Sequence, residues 1–227
     1  MTSPEDLTAT NRATYDRIAG LYLERQQQWR SPDGPSFLRL ERRFLAALPA
    51  GGRIADVGCG PALDGARFDR AGYEVVGVDL SEGMLAHAAR CLAGRVVQAD
   101  MRALPIAAGA LDGVWCAASL LHVPDEHTTV VLGEFERVLR RDGCLALVTA
   151  LGAGTALEAV PYQPAESRWF VHRLRESLQA QLEDAGFALV CEEAIAGNRL
   201  WWCVLARPTA QRAAPPGPSV PPAPPRR

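Results

Sequence analysis

The sequence predicts a doubly wound α/β fold with seven mostly parallel strands, helices on both faces and an antiparallel hairpin strand at the C-terminal edge. Three observations predict it. From residue 53 onward, short apolar or β-branched runs alternate with helical patterns, the reading expected of parallel strands joined by crossover helices. The first run ends in the turn Asp56-Val57-Gly58-Cys59-Gly60, directly ahead of a helical pattern. The last two runs are separated only by Ala196-Gly197-Asn198, a link too short for anything but an antiparallel hairpin.

Residues 5 to 29 read as a partly amphipathic helix, broken by Ser31-Pro32-Asp33-Gly34-Pro35. Phe37, Leu40, Phe44, Leu45 and Leu48 mark a second helix, so two helices precede the first strand. The βαβ units follow: strand 53 to 57, helix 62 to 71, strand 74 to 78, helix 82 to 92 and strand 95 to 99. A fourth strand covers 111 to 118, Val131, Phe135, Val138 and Leu139 form a helix stripe, and a fifth strand covers 144 to 150. A helix carrying Leu174, Leu178 and Leu182 ends at Gly186, and strands 187 to 195 and 199 to 206 complete the pattern. Trp201 and Trp202 alternate across the last strand, so at least one belongs to the core. The chain divides into N-terminal helices (1 to 50), a core (51 to 207) and a tail (208 to 227) whose eight prolines predict disorder.

Composition narrows the function. All 24 basic residues among the 227 are Arg, so Schiff bases, phosphate-loop lysines and lysine general bases are excluded. Twenty-six acids leave a net charge of −2, which offers no basic field for nucleic acid or an anionic membrane and favours a small-molecule partner. Six widely spaced cysteines read as reduced thiols, and with no secretory leader the expectation is a cytoplasmic protein.

The chemistry concentrates at strand ends. Glycines at the turn after the first strand let backbone approach a ligand, and the helix start behind them offers free N–H groups. Asp79, nineteen residues after Gly60, ends the second strand where it can accept from ribose hydroxyls, which implies an adenosine ligand. Asp100 after the third strand can reach an exocyclic amine, and Met101, Leu80 and Met84 can supply apolar faces. A dinucleotide fingerprint needs a small residue at the sixth position, which Leu63 occupies.

At these residues the chain resembles the class I S-adenosylmethionine-dependent methyltransferases. DVGCGPALDG is similar to their glycine motif, VVGVDLSEGML to their ribose acid, QADMRALP to their adenine loop and LDGVWCAASLLHVPD to their fourth strand and its turn. The resemblance implies a Rossmann-like fold and S-adenosylmethionine as cofactor, with S-adenosylhomocysteine as product and no metal. It implies a cofactor site made of the turn from Asp56 through Gly58, Cys59 and Gly60, of Asp79, Leu80 and Met84, of Asp100 and Met101, and of Ala117. Tyr15 and Tyr22, two helical turns apart in YDRIAGLYLER, resemble a lid segment that faces the sulfonium or anchors its helix on the core. Tyr22, Arg168 and Trp169 are expected on the acceptor side, Arg168 holding an acceptor anion or forming a surface ion pair. The family's third glycine is Ala62 here, and the Pro-Pro-aromatic motif of amino-group nucleic-acid enzymes is absent.

His122, at the turn after the fourth strand, is the candidate general base, with a packing or orienting role as its competitor. The expected protein is a bacterial small-molecule methyltransferase acting at oxygen or nitrogen, with natural-product biosynthesis as one setting, monomeric or homodimeric. A non-methylating enzyme on the same fold and a non-catalytic binding protein remain alternatives.

Overall fold

The computed structural model describes residues 3–29 and 37–209. The Ser31 to Pro35 break and the tail beyond Thr209 lie outside them. The first helices are α1 (Pro4–Trp29) and α2 (Leu38–Ala46). The alternating core follows as β1 (Arg53–Val57), α3 (Leu63–Arg70), β2 (Glu74–Asp79), α4 (Glu82–Cys91), β3 (Val96–Gln98) and β4 (Leu111–Ala117). Two short 3-10 turns, Leu120–His122 and Asp125–His127, lead to α5 (Thr128–Val138) and β5 (Leu139–Ala150). The last third holds β6 (Gly154–Val160), β7 (Gln163–His172), α6 (Arg175–Asp184), β8 (Phe187–Ala196) and β9 (Leu200–Pro208).

One seven-stranded sheet runs β3-β2-β1-β4-β5-β9-β8. Its first four pairings are parallel, and β9 is antiparallel to both β5 and β8. Side chains alternate across each strand, so one element feeds two cores. Ile54 and Trp115 join Leu40, Phe44, Phe68 and Leu85 on one face, beneath α2, α3 and α4. Ala55, Val57, Val114 and Cys116 join Val131, Phe135, Leu178 and Leu182 on the other, beneath α5 and α6. Trp202 is buried in this second core, as the alternation required of one of the two tryptophans.

The structure corrects three boundaries. β5 starts at Leu139, five residues before the expected strand, because Leu111 pairs with Leu139 and Gly113 with Cys144, leaving Arg140 to Gly143 as a bulge. Leu174 is the half-exposed residue preceding α6 rather than part of its buried stripe. Pro208, placed in the tail by composition, ends β9, and Thr209 donates its N–H to Gly186. The hairpin β6–β7, a second small sheet, was not assigned in the sequence.

α1 lies against α4 and along β7, and two polar side chains fix it there. Asn11 accepts from the Trp169 N–H at 2.7 Å and donates to the Trp169 carbonyl at 3.1 Å, while Thr14 donates to the Ser167 carbonyl at 2.6 Å. Side chains of the helix thus satisfy backbone groups along the edge of β7 that would otherwise face a buried contact unpaired. At α4, Asp16 accepts from Ser81 Oγ at 2.7 Å and from the Gly83 N–H at 3.0 Å, extending the cap in which Ser81 accepts from the Met84 N–H. Gly83 permits this approach, since a Cβ there would stand 2.6 Å from the Asp16 carbonyl. Among the described residues no helix is long and apolar enough to cross a membrane.

Candidate active site

The carboxyl ends of β1, β2 and β4 open into a cleft that α1 covers. This is where an open parallel sheet presents ligands, because the strand order reverses between β1 and β4 and the connections leaving those strands go to opposite faces of the sheet. The floor is the turn after β1. Gly58 (φ +68°) and Cys59 both donate N–H groups to the Val78 carbonyl, at 2.7 and 3.0 Å. A Cβ on Gly58 would fall 1.8 Å from Ser119 Oγ, so the turn and the end of β4 are packed at a distance only glycine allows.

Asp79 ties the turn to β2. Its Oδ2 accepts from the Gly60 N–H at 2.8 Å and its Oδ1 from the Ser81 N–H at 2.9 Å. Burial pushes its pKa up, and those backbone donors pull against the shift. Asp56, 3% exposed, accepts from the Gly65 N–H at 3.0 Å and so braces the start of α3. The Cys59 side chain turns into the core toward Gly77, and burial, with the nearby Asp56 and Asp79 charges, holds its thiol protonated.

Asp100 is gripped by Arg102, whose Nε and Nη2 reach the carboxylate at 2.7 to 3.0 Å. Partial burial opposes ionisation, yet the guanidinium and backbone donor lower its pKa overall. The sequence reading left Asp100 free to meet a ligand amine. In the structure it is a chelated carboxylate on the cleft wall.

His122 and Tyr15 form the opposite wall. The Trp169 carbonyl can only accept, so His122 Nδ1 carries the proton it donates at 2.8 Å, and Nε2 accepts from the Tyr15 hydroxyl at 2.7 Å. Tyr15 in turn accepts from Arg168 Nη1 at 2.9 Å. Burial, reinforced by the positive charges of Arg168 and Arg199, lowers the His122 pKa to about 3, against the pull of the Trp169 carbonyl. Both ring nitrogens are occupied in a neutral imidazole, an environment that opposes a general base.

Tyr15, Tyr22, Asp56, Gly58, Cys59, Gly60, Asp79, Leu80, Met84, Asp100, Met101, Ala117 and His122 all line the cleft. Arg168 and Trp169 do not. Arg168 stands behind Tyr15, its guanidinium 5.7 Å from the Tyr15 ring centre and 5.0 Å from that of Phe170. Trp169 acts through its backbone on Asn11 and His122. Consecutive side chains of β7 point to opposite faces, so Arg168 meets Tyr15 from behind while Trp169 points to the other face of the hairpin, and neither lines the cleft.

Sequence reasoning missed Asn11, Asp16, Arg102, Ser119 and Arg173. Arg173, 3% exposed, bonds Asp125, Thr128 and the carbonyls of Leu120, Val123 and Val171, clamping the His122 turn to β7. Only Arg102, two residues from the acid it grips, carried a local signal. Apart from the Val171 carbonyl beside Arg173, the others meet their site partners 45 to 158 residues away.

A family model described as a methyltransferase domain matches residues 54–143. A malonyl-[acyl-carrier protein] O-methyltransferase of Laribacter hongkongensis is 36% identical over 165 residues, covering 65% of this chain and 52% of that protein. A ubiquinone biosynthesis O-methyltransferase of Xanthomonas axonopodis is 30% identical over 152 residues, with 61% of each covered. The chain therefore spans about half to three fifths of the length of these relatives. In fold it is similar to a Burkholderia thailandensis 1,6-didemethyltoxoflavin-N1-methyltransferase, at a TM-score of 0.73, 21% identity and 92% of each chain. With the glycine turn, the Asp79 strand end and the 3-2-1-4-5-9-8 sheet in place, the chain carries a methyltransferase domain at residues 54–143 and is similar in sequence and fold to class I S-adenosylmethionine-dependent methyltransferases.

Proposed function

We propose that this protein transfers the methyl group of S-adenosylmethionine to a small-molecule acceptor, at oxygen or nitrogen, and releases S-adenosylhomocysteine. The observation that carries this reading is Asp79, a partly buried carboxylate on the cleft floor that anchors the glycine turn and keeps acceptor capacity for ligand hydroxyls. The donor set fits the cofactor. Asp56, Asp64, Asp79 and Asp100 line the cleft against Arg12 and Arg102, an anionic excess suited to a ligand bearing a sulfonium and an ammonium.

In this reading Asp79 holds the ribose, Asp100 and Met101 the adenine, Leu80 and Met84 the apolar walls, and the Gly58 to Gly60 turn the methionine part. The bound sulfonium supplies a methyl group already activated for displacement. The protein's own residues align and enclose: α1 closes the cleft, Tyr15 is pinned between His122 and Arg168, and nucleophile and donor are held in line, which is most of what such a displacement requires. His122 orients Tyr15 and does not take the acceptor's proton.

Two relatives are named for O-methylation, which favours an oxygen acceptor, and a group already ionised near neutral pH suits a site whose histidine is locked neutral. Calorimetric titration with S-adenosylmethionine and S-adenosylhomocysteine tests the cofactor. A screen of carboxylic, phenolic and amine acceptors, read by S-adenosylhomocysteine release and product mass, tests the transfer. Folded protein that binds neither compound, or that prefers NADH, rules the reading out.

A further inference from the structure

α1 crosses the cleft lengthwise, and its contacts order the ligand beneath it. Asn11 and Tyr15 meet the His122 turn, Tyr22 reaches the floor, where its Cε1 would be 3.8 Å from a Cβ on Gly60, and Gln26 follows one helical turn later. Gln26 lines the cleft, yet its Oε1 is buried with no hydrogen-bond partner among the described residues. An amide oxygen shut away from water without a donor costs free energy, and such an atom in the wall of a binding cleft is satisfied when a ligand brings the donor.

The position of Gln26 says which part of the ligand that is. Resting on the methyltransferase reading above, the nucleoside occupies Asp79 and Asp100, so the amino-acid end extends past Gly60, the end of the cleft Gln26 overlooks. Asp56 and Asp64 line the same cleft at and beyond the glycine turn. We propose that Gln26 is a binding residue for the α-ammonium of the cofactor's methionine part, its Oε1 accepting an ammonium N–H in a cleft that Asp56 also lines, Asp64 being ion-paired with Arg67. The helix that closes the site would then read the amino-acid end directly, and closure would depend on an intact amino acid in the ligand.

The test is calorimetry on the full chain with three ligands: S-adenosylhomocysteine, its analogue lacking the α-amino group, and 5′-methylthioadenosine, which lacks the amino-acid portion. Gln26→Ala should weaken S-adenosylhomocysteine about tenfold, the usual scale for a hydrogen bond to a charged group, and leave the other two within about twofold. Gln26→Glu, which keeps an acceptor oxygen, should retain S-adenosylhomocysteine affinity. Equal weakening of all three ligands would assign Gln26 to helix packing and overturn the proposal, as would unchanged binding of S-adenosylhomocysteine. Failure of the unmutated protein to bind any of them would overturn the methyltransferase reading as well, which separates the two.

Discussion

Tyr15 and His122, 107 residues apart in the chain, meet through a 2.7 Å hydrogen bond in which the phenol donates to Nε2. With Nδ1–H held by the Trp169 carbonyl and the ring pKa at about 3, His122 is neutral across the working range. Turnover measured between about pH 6 and 9 should therefore show no inflection that His122→Gln abolishes, since a base contributes ~10² to 10⁴ in rate and an orienting contact much less. The substitution should raise KM for the acceptor and lower turnover by less than about tenfold. An acid limb present in the parent and absent in the variant would restore His122 as the base.

The same group links folding to pH. In the unfolded chain His122 takes up a proton below its ordinary pKa of 6.5, whereas in the fold it resists protonation down to about 3. The stability that neutral His122 contributes is complete above 6.5 and is lost progressively as pH falls toward 3. Urea unfolding at several pH values below 6.5 should show a slope shallower in His122→Gln than in the parent, by at most ~1.4 kcal/mol per pH unit, the limit for one proton. Identical slopes would mean that the ring is protonated in the fold.

Asp79→Ala should cost about 2 to 3 kcal/mol in S-adenosylhomocysteine affinity, the scale of hydrogen bonds to a charged acceptor plus the loss of the Gly60 anchor. Asp79→Asn, which keeps one acceptor oxygen, should lie between. Calorimetry on variants with parent-like circular dichroism decides it, and unchanged affinity in Asp79→Ala would move the ribose elsewhere.

Gly58→Ala meets two penalties, a left-handed backbone at φ +68° and a Cβ overlapping Ser119 Oγ. Backbone strain of this kind alone costs roughly 1 to 3 kcal/mol. The steric part is shared with Ser119, so Ser119→Gly in the same chain should recover some of the loss in denaturant midpoint. A double variant no more stable than Gly58→Ala would place all of the cost in the backbone.

Asn11→Ala leaves the Trp169 N–H and carbonyl without their helix partner in a buried contact, a loss of about 1 to 3 kcal/mol. Amide exchange at Trp169 should accelerate more than exchange in β1, because the hairpin edge loosens while the sheet stays intact. Uniform acceleration would instead signal global destabilisation.

What the sequence determined by itself was whatever local chemistry dictates. Alternating runs located every strand of the main sheet because side-chain periodicity is a property of neighbours in the chain. The glycine turn and the acids at strand ends were legible for the same reason: a parallel sheet gathers its carboxyl ends on one side whatever the loops do. β6–β7 escaped because its apolar and polar residues do not follow its faces: in β6 Leu157 is exposed while the neighbouring Glu158 is partly covered. Tertiary structure alone decided the surroundings of Arg168, Trp169 and His122. Arg168 faces Tyr15 because β7 pairs in one register and not the next, and His122 is a locked neutral ring because an N-terminal helix brings a phenol to one nitrogen and a C-terminal strand brings a carbonyl to the other. A residue's type is local, whereas its protonation and its free lone pairs depend on partners far away in the chain, and those exist only once the chain has folded.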